Sequence, residues 1–78
     1  MNYAERIETR AGVLGGKPVI KGTRISVEML LSFLAAGWTV EQLLAEYPSI
    51  SALDIQAIFA LAHELVTEER FIIESKVA

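Results

Sequence analysis

Three cationic side chains lie close together in residues 15–24, which read GGKPVIKGTR and contain no acidic residue. Lys17, Lys21 and Arg24 supply three of the seven basic side chains of the chain. The glycines and the proline between them predict tight turns, and cations beside the exposed amides of a turn can bind a phosphate. A helix is predicted shortly afterwards, and helix N-termini also attract anions. We expect these three side chains to contact DNA phosphates; a glycine-rich turn with solvated cations is the alternative.

Other kinds of chemistry find little support in the sequence. A nucleotide-binding phosphate loop would need glycine at Ala11 and serine or threonine at Pro18. The chain has no cysteine and one histidine, His63, and a zinc-protease motif would need a second histidine at Thr67. Asp54 is the single aspartate, and Ser26 and Ser51 are better explained as helix caps, so no set of nucleophile, base and orienting group can be assembled. We expect no enzymatic activity, no cofactor and no metal.

Charge is unevenly distributed along the chain. Residues 1–24 carry five basic and two acidic side chains, a net charge of +3. Residues 25–78 carry two basic and eight acidic side chains, a net charge of −6, which leaves −3 for the whole chain. The acidic average argues against nucleic acid as a partner, whereas the basic N-terminal third argues for it. Arg6 and Arg10 are further candidates for phosphate contacts in that third.

Length and composition indicate one small domain that needs a partner. A chain of 78 residues buries only about 60% of its unfolded surface. Because 53% of the residues are hydrophobic, we infer that apolar surface remains for a homodimer and for a second protein. The absence of cysteine, of a signal-peptide pattern and of an apolar run of about 18 residues favours a cytoplasmic protein without a membrane span.

The first third of the chain is predicted to form an irregular β hairpin, and a helix is predicted to follow it. Residues 7–25 have a strand-like pattern interrupted by glycines, with a β-branched pair at Val19-Ile20. Ser26 is a suitable N-cap for a helix over about residues 27–36. Gly37 is expected to end this helix in the left-handed conformation.

Two further helices are predicted, with a tight turn between them. Thr39 and Gln42 have capping-box spacing, and Pro48 ends the second helix. Ser51, with Asp54 three residues on, begins a third helix that extends to about Thr67.

The second and third helices have the spacing of a helix-turn-helix motif, in which the later helix enters the major groove. Ser51 and Gln56 lie in the first turns of that helix, and glutamine can recognise adenine. The third helix has no lysine or arginine, so a three-helix bundle with no nucleic-acid role is the alternative.

The last residues are predicted to meet a partner protein. Residues 68–78 mix apolar and cationic side chains, and we assign Arg70, Phe71, Ile72 and Lys76 to partner binding. A frayed terminus, or a C-terminal helix packed in the dimer, is the alternative. The single domain therefore divides into residues 1–25 (hairpin and basic loop), 26–67 (three helices) and 68–78 (tail).

The pattern over residues 7–66 resembles the family called domain of unknown function 433. The resemblance is carried by residues 16–25 with Val27, Gly37-Trp38, the segment 41–44, Tyr47-Pro48 and the segment 53–57.

This resemblance implies a mainly α fold, a three-helix homeodomain-like helix-turn-helix bundle with a short N-terminal β element, and a dimer. Members of the family are regarded as VapB-type antitoxins encoded beside PIN-like nucleases. It thus implies an antitoxin that binds promoter DNA as a dimer and neutralises a PIN-like nuclease toxin. A protein-interaction module without DNA binding is the alternative.

Overall fold

The computed structural model describes residues 2–68 of the chain. Single 3₁₀ turns over Tyr3–Glu5 and Leu14–Gly16 accompany five regular elements. These elements, in chain order, are β1 (Ile7–Glu8), β2 (Val19–Ile20), α1 (Val27–Ala35), α2 (Val40–Glu46) and α3 (Ala52–Thr67). The protein is mainly helical with a short N-terminal β element, as predicted. Arg70, Phe71, Ile72 and Lys76, which are predicted to bind a partner, lie outside the described residues.

The predicted hairpin is present and packs under the helices. Strand β1 is antiparallel to β2, with Ile7 opposite Ile20. Val19 also bridges to Ser26, so β2 lies between β1 and the segment that leads into α1. Ile7 and Ile20 lie opposite each other and belong to the hydrophobic core cluster, while Val19, on the other face of the strand pair, is also buried.

Helix α1 begins and ends where the local signals place it. The Ser26 side chain accepts a hydrogen bond of 2.9 Å from the amide of Met29. At the other end, Gly37 has a φ of 103°, which glycine adopts without the steric penalty of a Cβ. Val27 and Leu30 are buried, so one face of α1 belongs to the core.

Helices α2 and α3 form the predicted pair around a tight turn. The Thr39 hydroxyl accepts from the Gln42 amide at 3.0 Å, and the Gln42 side chain accepts from the Thr39 amide at 2.8 Å. Pro48 lies in the connection between the helices, and buried Ile50 anchors that connection in the core. The core contains the fully buried side chains Val19, Leu30, Leu43, Ile55 and Ile58.

One buried carboxylate ties the N-terminal segment to α3. Asp54 is only 7% exposed. Its Oδ2 accepts from the Ser51 amide at 2.8 Å, and its Oδ1 accepts from the Arg6 guanidinium at 3.1 Å. The sequence predicts the capping role of Asp54 but not its ion pair with Arg6. Arg6 therefore has a structural partner, whereas the sequence suggests it as a phosphate ligand.

We expect the replacement Arg6→Met to lower the free energy of unfolding by about 1–3 kcal/mol, because the buried carboxylate loses its counter-ion. Lys17→Met is the matched control, since it removes the cation of the exposed Lys17–Glu28 pair and should cost less than about 1 kcal/mol. Urea unfolding followed by the fluorescence of Trp38 measures both. Equal losses in the two variants would contradict a structural role for the Arg6–Asp54 pair.

Candidate nucleic-acid interface

The turn that follows β2 presents two of the predicted DNA-binding side chains. We call residues 21–24 the basic turn; Lys21 and Arg24 are both exposed on it. Gly22 has a φ of 79°, which lets the chain reverse direction. The Thr23 hydroxyl donates to the carbonyl of Ile20 at 2.8 Å and accepts from the Ile25 amide at 2.9 Å. The backbone beneath the two cations is therefore held by short hydrogen bonds.

Glu8 and Arg10 fasten the basic turn to the first strand. The Glu8 carboxylate accepts from the Gly22 amide at 3.1 Å, and it is also paired with the Arg10 guanidinium. Arg10 in turn donates to the carbonyl of Thr23 at 2.8 Å. Arg10 thus supports the turn from the protein side, whereas the sequence suggests it as a phosphate contact.

Lys17 differs from the two cations of the basic turn in its electrostatic environment. Its ammonium group lies 2.9 Å from the carboxylate of Glu28, and both side chains are exposed. Within residues 2–68, neither Lys21 nor Arg24 has a carboxylate within 4.0 Å. In this part of the chain, the cations that no carboxylate neutralises are therefore those of the basic turn.

Arg6 joins the basic turn to the start of α3. Its carbonyl oxygen accepts a hydrogen bond of 2.8 Å from the amide of Lys21. Its guanidinium reaches the first turn of α3 through Asp54. A single residue therefore spans the gap between the basic turn and the N-terminus of α3, and it places both at the same end of the molecule.

The N-terminal end of α3 exposes the two polar side chains predicted to meet DNA. Ser51 and Gln56 are exposed, while the neighbouring Asp54, Ile55 and Ala57 are buried. His63 lies on the same outward side of the helix as Gln56, two turns further on. The outward face of α3 thus combines polar side chains with exposed Leu53 at its start and carries no cation along its length.

Apolar side chains are exposed elsewhere on α3. Leu53, Phe59, Leu65 and Val66 are between 46% and 59% exposed. A groove of about 270 Å³ also lies between α1 and α3. It is lined by Pro18, Val27, Glu28, Leu31, Ile58, Leu61, Ala62 and Leu65. Sequence periodicity indicates a broad apolar arc on α3 but does not show that part of this arc borders an open groove.

The N-terminal 3₁₀ turn is also attached to α3. The Tyr3 hydroxyl donates to the Glu64 carboxylate at 2.8 Å. This hydrogen bond, followed by partial burial and the negative charges of Glu64 and Glu68, raises the pKa of Tyr3 above its usual value of 10.0. The contact holds the first residues along α3, away from the basic turn.

Two further findings apply to residues 2–68. No group of three or more histidine or carboxylate side chains is placed to hold a metal ion in this part of the chain. No helix there is long and apolar enough to cross a membrane.

Comparison with known proteins places these features in a family. A sequence model of the family described as "Protein of unknown function (DUF433)" matches residues 7–62. The uncharacterized protein y4eO of Sinorhizobium fredii (strain NBRC 101917 / NGR234) is 38% identical over 63 residues, which cover 78% of this chain and 28% of that protein. The chain therefore corresponds to less than a third of this longer relative.

A solved structure has the same fold. The crystal structure of a DUF433 member from Anabaena variabilis ATCC 29413 superimposes with a TM-score of 0.72 at 34% sequence identity. The match covers 76% of this chain and 58% of that one. In the present chain, residues 7–62 match the family model, and this segment contains the basic turn and the start of α3. The chain therefore belongs to the DUF433 family.

Proposed function

We propose that this protein binds duplex DNA through the basic turn and the N-terminal end of α3, as the DNA-binding antitoxin of a pair with a PIN-like nuclease. The observation that supports the DNA-binding part is the link through Arg6. This residue bonds to the amide of Lys21 and to the carboxylate of Asp54. It connects the turn that carries Lys21 and Arg24, which have no carboxylate partner within residues 2–68, to the exposed start of the second helix of a helix-turn-helix pair.

Each group has a distinct task in this proposal. Lys21 and Arg24 contact phosphate oxygens and set the position of the protein on the duplex. Ser51 and Gln56 enter the major groove, where the Gln56 amide can make two hydrogen bonds to an adenine. Arg6 and Arg10 hold the basic turn through hydrogen bonds to its backbone, at the Lys21 amide and the Thr23 carbonyl.

The charge distribution limits the strength of this interaction. The whole chain carries −3, and α3 contributes no cation. With two phosphate contacts per protomer, the slope of log K against log salt concentration should be about −2 for each protomer. The affinity for DNA then depends on a few contacts, so the loss of either cation should cause a measurable fall in affinity.

We expect Lys21→Gln and Arg24→Gln each to weaken binding to the DNA upstream of the protein's own gene severalfold. Each should also reduce the salt slope by about 1, because one phosphate contact is lost. Fluorescence anisotropy with a labelled duplex at several salt concentrations measures both quantities.

Lys17→Gln is the matched control for these two variants. It changes the net charge by the same amount, but Lys17 is already paired with Glu28. It should leave the salt slope unchanged. If all three variants lose affinity and slope equally, the basic turn is not a specific phosphate contact.

We expect Gln56→Ala to relax the sequence preference rather than the overall affinity. The loss of a bidentate contact to a base costs about 1–3 kcal/mol of discrimination at one position. Selection of bound duplexes from a randomised pool compares the wild type with this variant. His63→Ala, further along the same face, is the control. An unchanged preference in Gln56→Ala would exclude Gln56 from base recognition.

The nuclease partnership is supported by the exposed apolar side chains and by the tail sequence. Residues 70–76 combine Phe71 and Ile72 with Arg70 and Lys76, and cations there can face the acidic metal site of a nuclease. We expect Arg70→Glu with Lys76→Glu to restore the activity of the nuclease bound to this protein, measured by RNA cleavage in the purified complex. Unchanged inhibition would exclude these two side chains as the contact.

A second candidate function is a protein-interaction module without a DNA role. Leu53, Phe59 and Val66 are exposed on a helix without a cation, which is more typical of a protein interface than of a DNA interface. The same anisotropy titration separates the two candidates. Salt-sensitive binding to upstream DNA favours the first, and its absence favours the second.

A further inference from the structure

Two hydrogen-bond donors at the basic turn converge on a single oxygen atom. The Gly22 amide donates to Oε2 of Glu8 at 3.1 Å, and the Arg10 guanidinium is paired with the same oxygen through its Nη1. A main-chain amide and a guanidinium aimed at one point are donors that bind phosphate oxygens in proteins. The Glu8 carboxylate therefore lies where an oxygen of a phosphate group would be bound.

We propose that the Gly22 amide and the Arg10 guanidinium form a phosphate-binding site, which the Glu8 carboxylate occupies until a phosphate group replaces it. We call these two donors the amide–guanidinium site. The phosphate group can belong to the DNA backbone or to a free phosphate compound. The use of the site by DNA rests on the proposed function, whereas the site itself does not.

Arg10 is held in place for this role by its other terminal nitrogen. Its Nη2 donates to the Thr23 carbonyl at 2.8 Å, while Nη1 meets Glu8. The guanidinium therefore stays anchored on the basic turn when Glu8 departs. A planar group anchored at one nitrogen is already oriented for a ligand at the other, so less conformational entropy is lost on binding.

The amide–guanidinium site is open to a ligand from solvent. The side chains of Arg10 and Glu8 are 35% and 26% exposed. Beside the turn there is also free space, since a Cβ on Gly22 would meet no atom of residues 2–68 within 4 Å. Glu8 can turn outward by rotation about its own side-chain bonds, so a phosphate can enter without separation of the two strands.

The unpaired cations of the basic turn favour an incoming phosphate. Lys21 immediately precedes Gly22, and Arg24 follows it by two residues. Neither has a carboxylate within 4.0 Å in the described part of the chain. These two side chains attract an anion to the turn, where the amide–guanidinium site can bind one of its oxygens.

Glu8 acts in this arrangement as a tethered competitor. A carboxylate attached to the same strand has a high effective concentration at the site. The apparent affinity for a phosphate falls in proportion to the fraction of molecules whose site is free. Removal of the Glu8 charge should therefore strengthen phosphate binding, whereas a Glu8 that only supports the turn predicts no gain or a loss.

The first test is a titration of the full chain, labelled with ¹⁵N, with inorganic phosphate. Glu8→Gln removes the charge and keeps an oxygen that can accept from the Gly22 amide. We expect the NMR signals of the Gly22 amide and the Arg10 guanidinium to shift at phosphate concentrations about fivefold or more below those needed for the wild type. The same spectra show whether each variant is folded.

Glu5→Gln is the matched control for Glu8→Gln. It makes the same change in charge three residues away, and Glu5 is exposed and forms no ion pair within residues 2–68. It should bind phosphate as the wild type does. Equal phosphate affinity in Glu8→Gln and Glu5→Gln would overturn the proposal, and so would shifts in Glu8→Gln that leave the Gly22 amide and Arg10 unaffected.

The second test removes the guanidinium from the Glu8→Gln variant. Arg10→Gln in that background should return the phosphate affinity to the wild-type level or below, because one of the two donors is lost. A gain that persists without Arg10 would assign the phosphate to another part of the turn and overturn the proposal.

The third test identifies the source of the phosphate group, with the labelled upstream duplex in place of inorganic phosphate. If the DNA backbone supplies it, Glu8→Gln should bind the duplex severalfold more tightly than Glu5→Gln, with a salt slope steeper by about 1. A gain for inorganic phosphate alone assigns the site to a free phosphate compound. Failure of every variant to bind the duplex contradicts the proposed function but not the site, since the phosphate titration contains no DNA.

Discussion

The ion pair between Arg6 and Asp54 is the interaction on which the rest of this arrangement depends. Asp54 is buried, and a buried carboxylate is costly unless it has both hydrogen-bond donors and a counter-ion. The Ser51 amide supplies the first requirement and the Arg6 guanidinium the second. Because Arg6 also holds the Lys21 amide, this one carboxylate fixes the start of α3 relative to the hairpin and the basic turn.

The same electrostatic requirement decides which cations remain available to a ligand. Arg6 and Arg10 are bound to carboxylates within the protein, and Lys17 is paired with Glu28. Among the five cations of residues 1–24, Lys21 and Arg24 are those without such a partner in the described part of the chain. The net charge of +3 in this segment is thus partly neutralised within the protein, and the cations left for an anionic ligand lie on the basic turn.

The polar side chains predicted to meet DNA and the apolar side chains of the groove lie toward different ends of α3. The helix begins with Ser51 and Gln56 beside the basic turn, and the leucines that border the groove between α1 and α3 lie further along it. A small chain cannot bury every apolar side chain against its own core, so some of this surface remains for other molecules. The two ends of α3 therefore suit different partners, and one rigid helix connects them.

The limits of the three helices were predictable from the sequence, because the signals that set them act over a few residues. Ser26, Thr39 with Gln42, and Gly37 stabilise or end helices through groups no more than four positions away. The turn around Pro48 follows from the same local chemistry.

The exposure of Lys21 was likewise predictable, since a charged side chain on a turn has no reason to be buried. The fold class and the candidate contacts at Lys21, Arg24, Ser51 and Gln56 could therefore be proposed from sequence alone.

The pairing of charges and the open groove were decided only by the tertiary structure. Arg6 and Asp54 are 48 positions apart, and nothing local to either residue indicates that they meet. The same is true of the separation of Lys17 from the other two cations, which depends on where α1 places Glu28. The groove arises from the way α1 and α3 pack against their neighbours. Sequence by itself determined the elements and their exposed chemistry, while long-range packing determined which charges are neutralised and which apolar side chains stay uncovered.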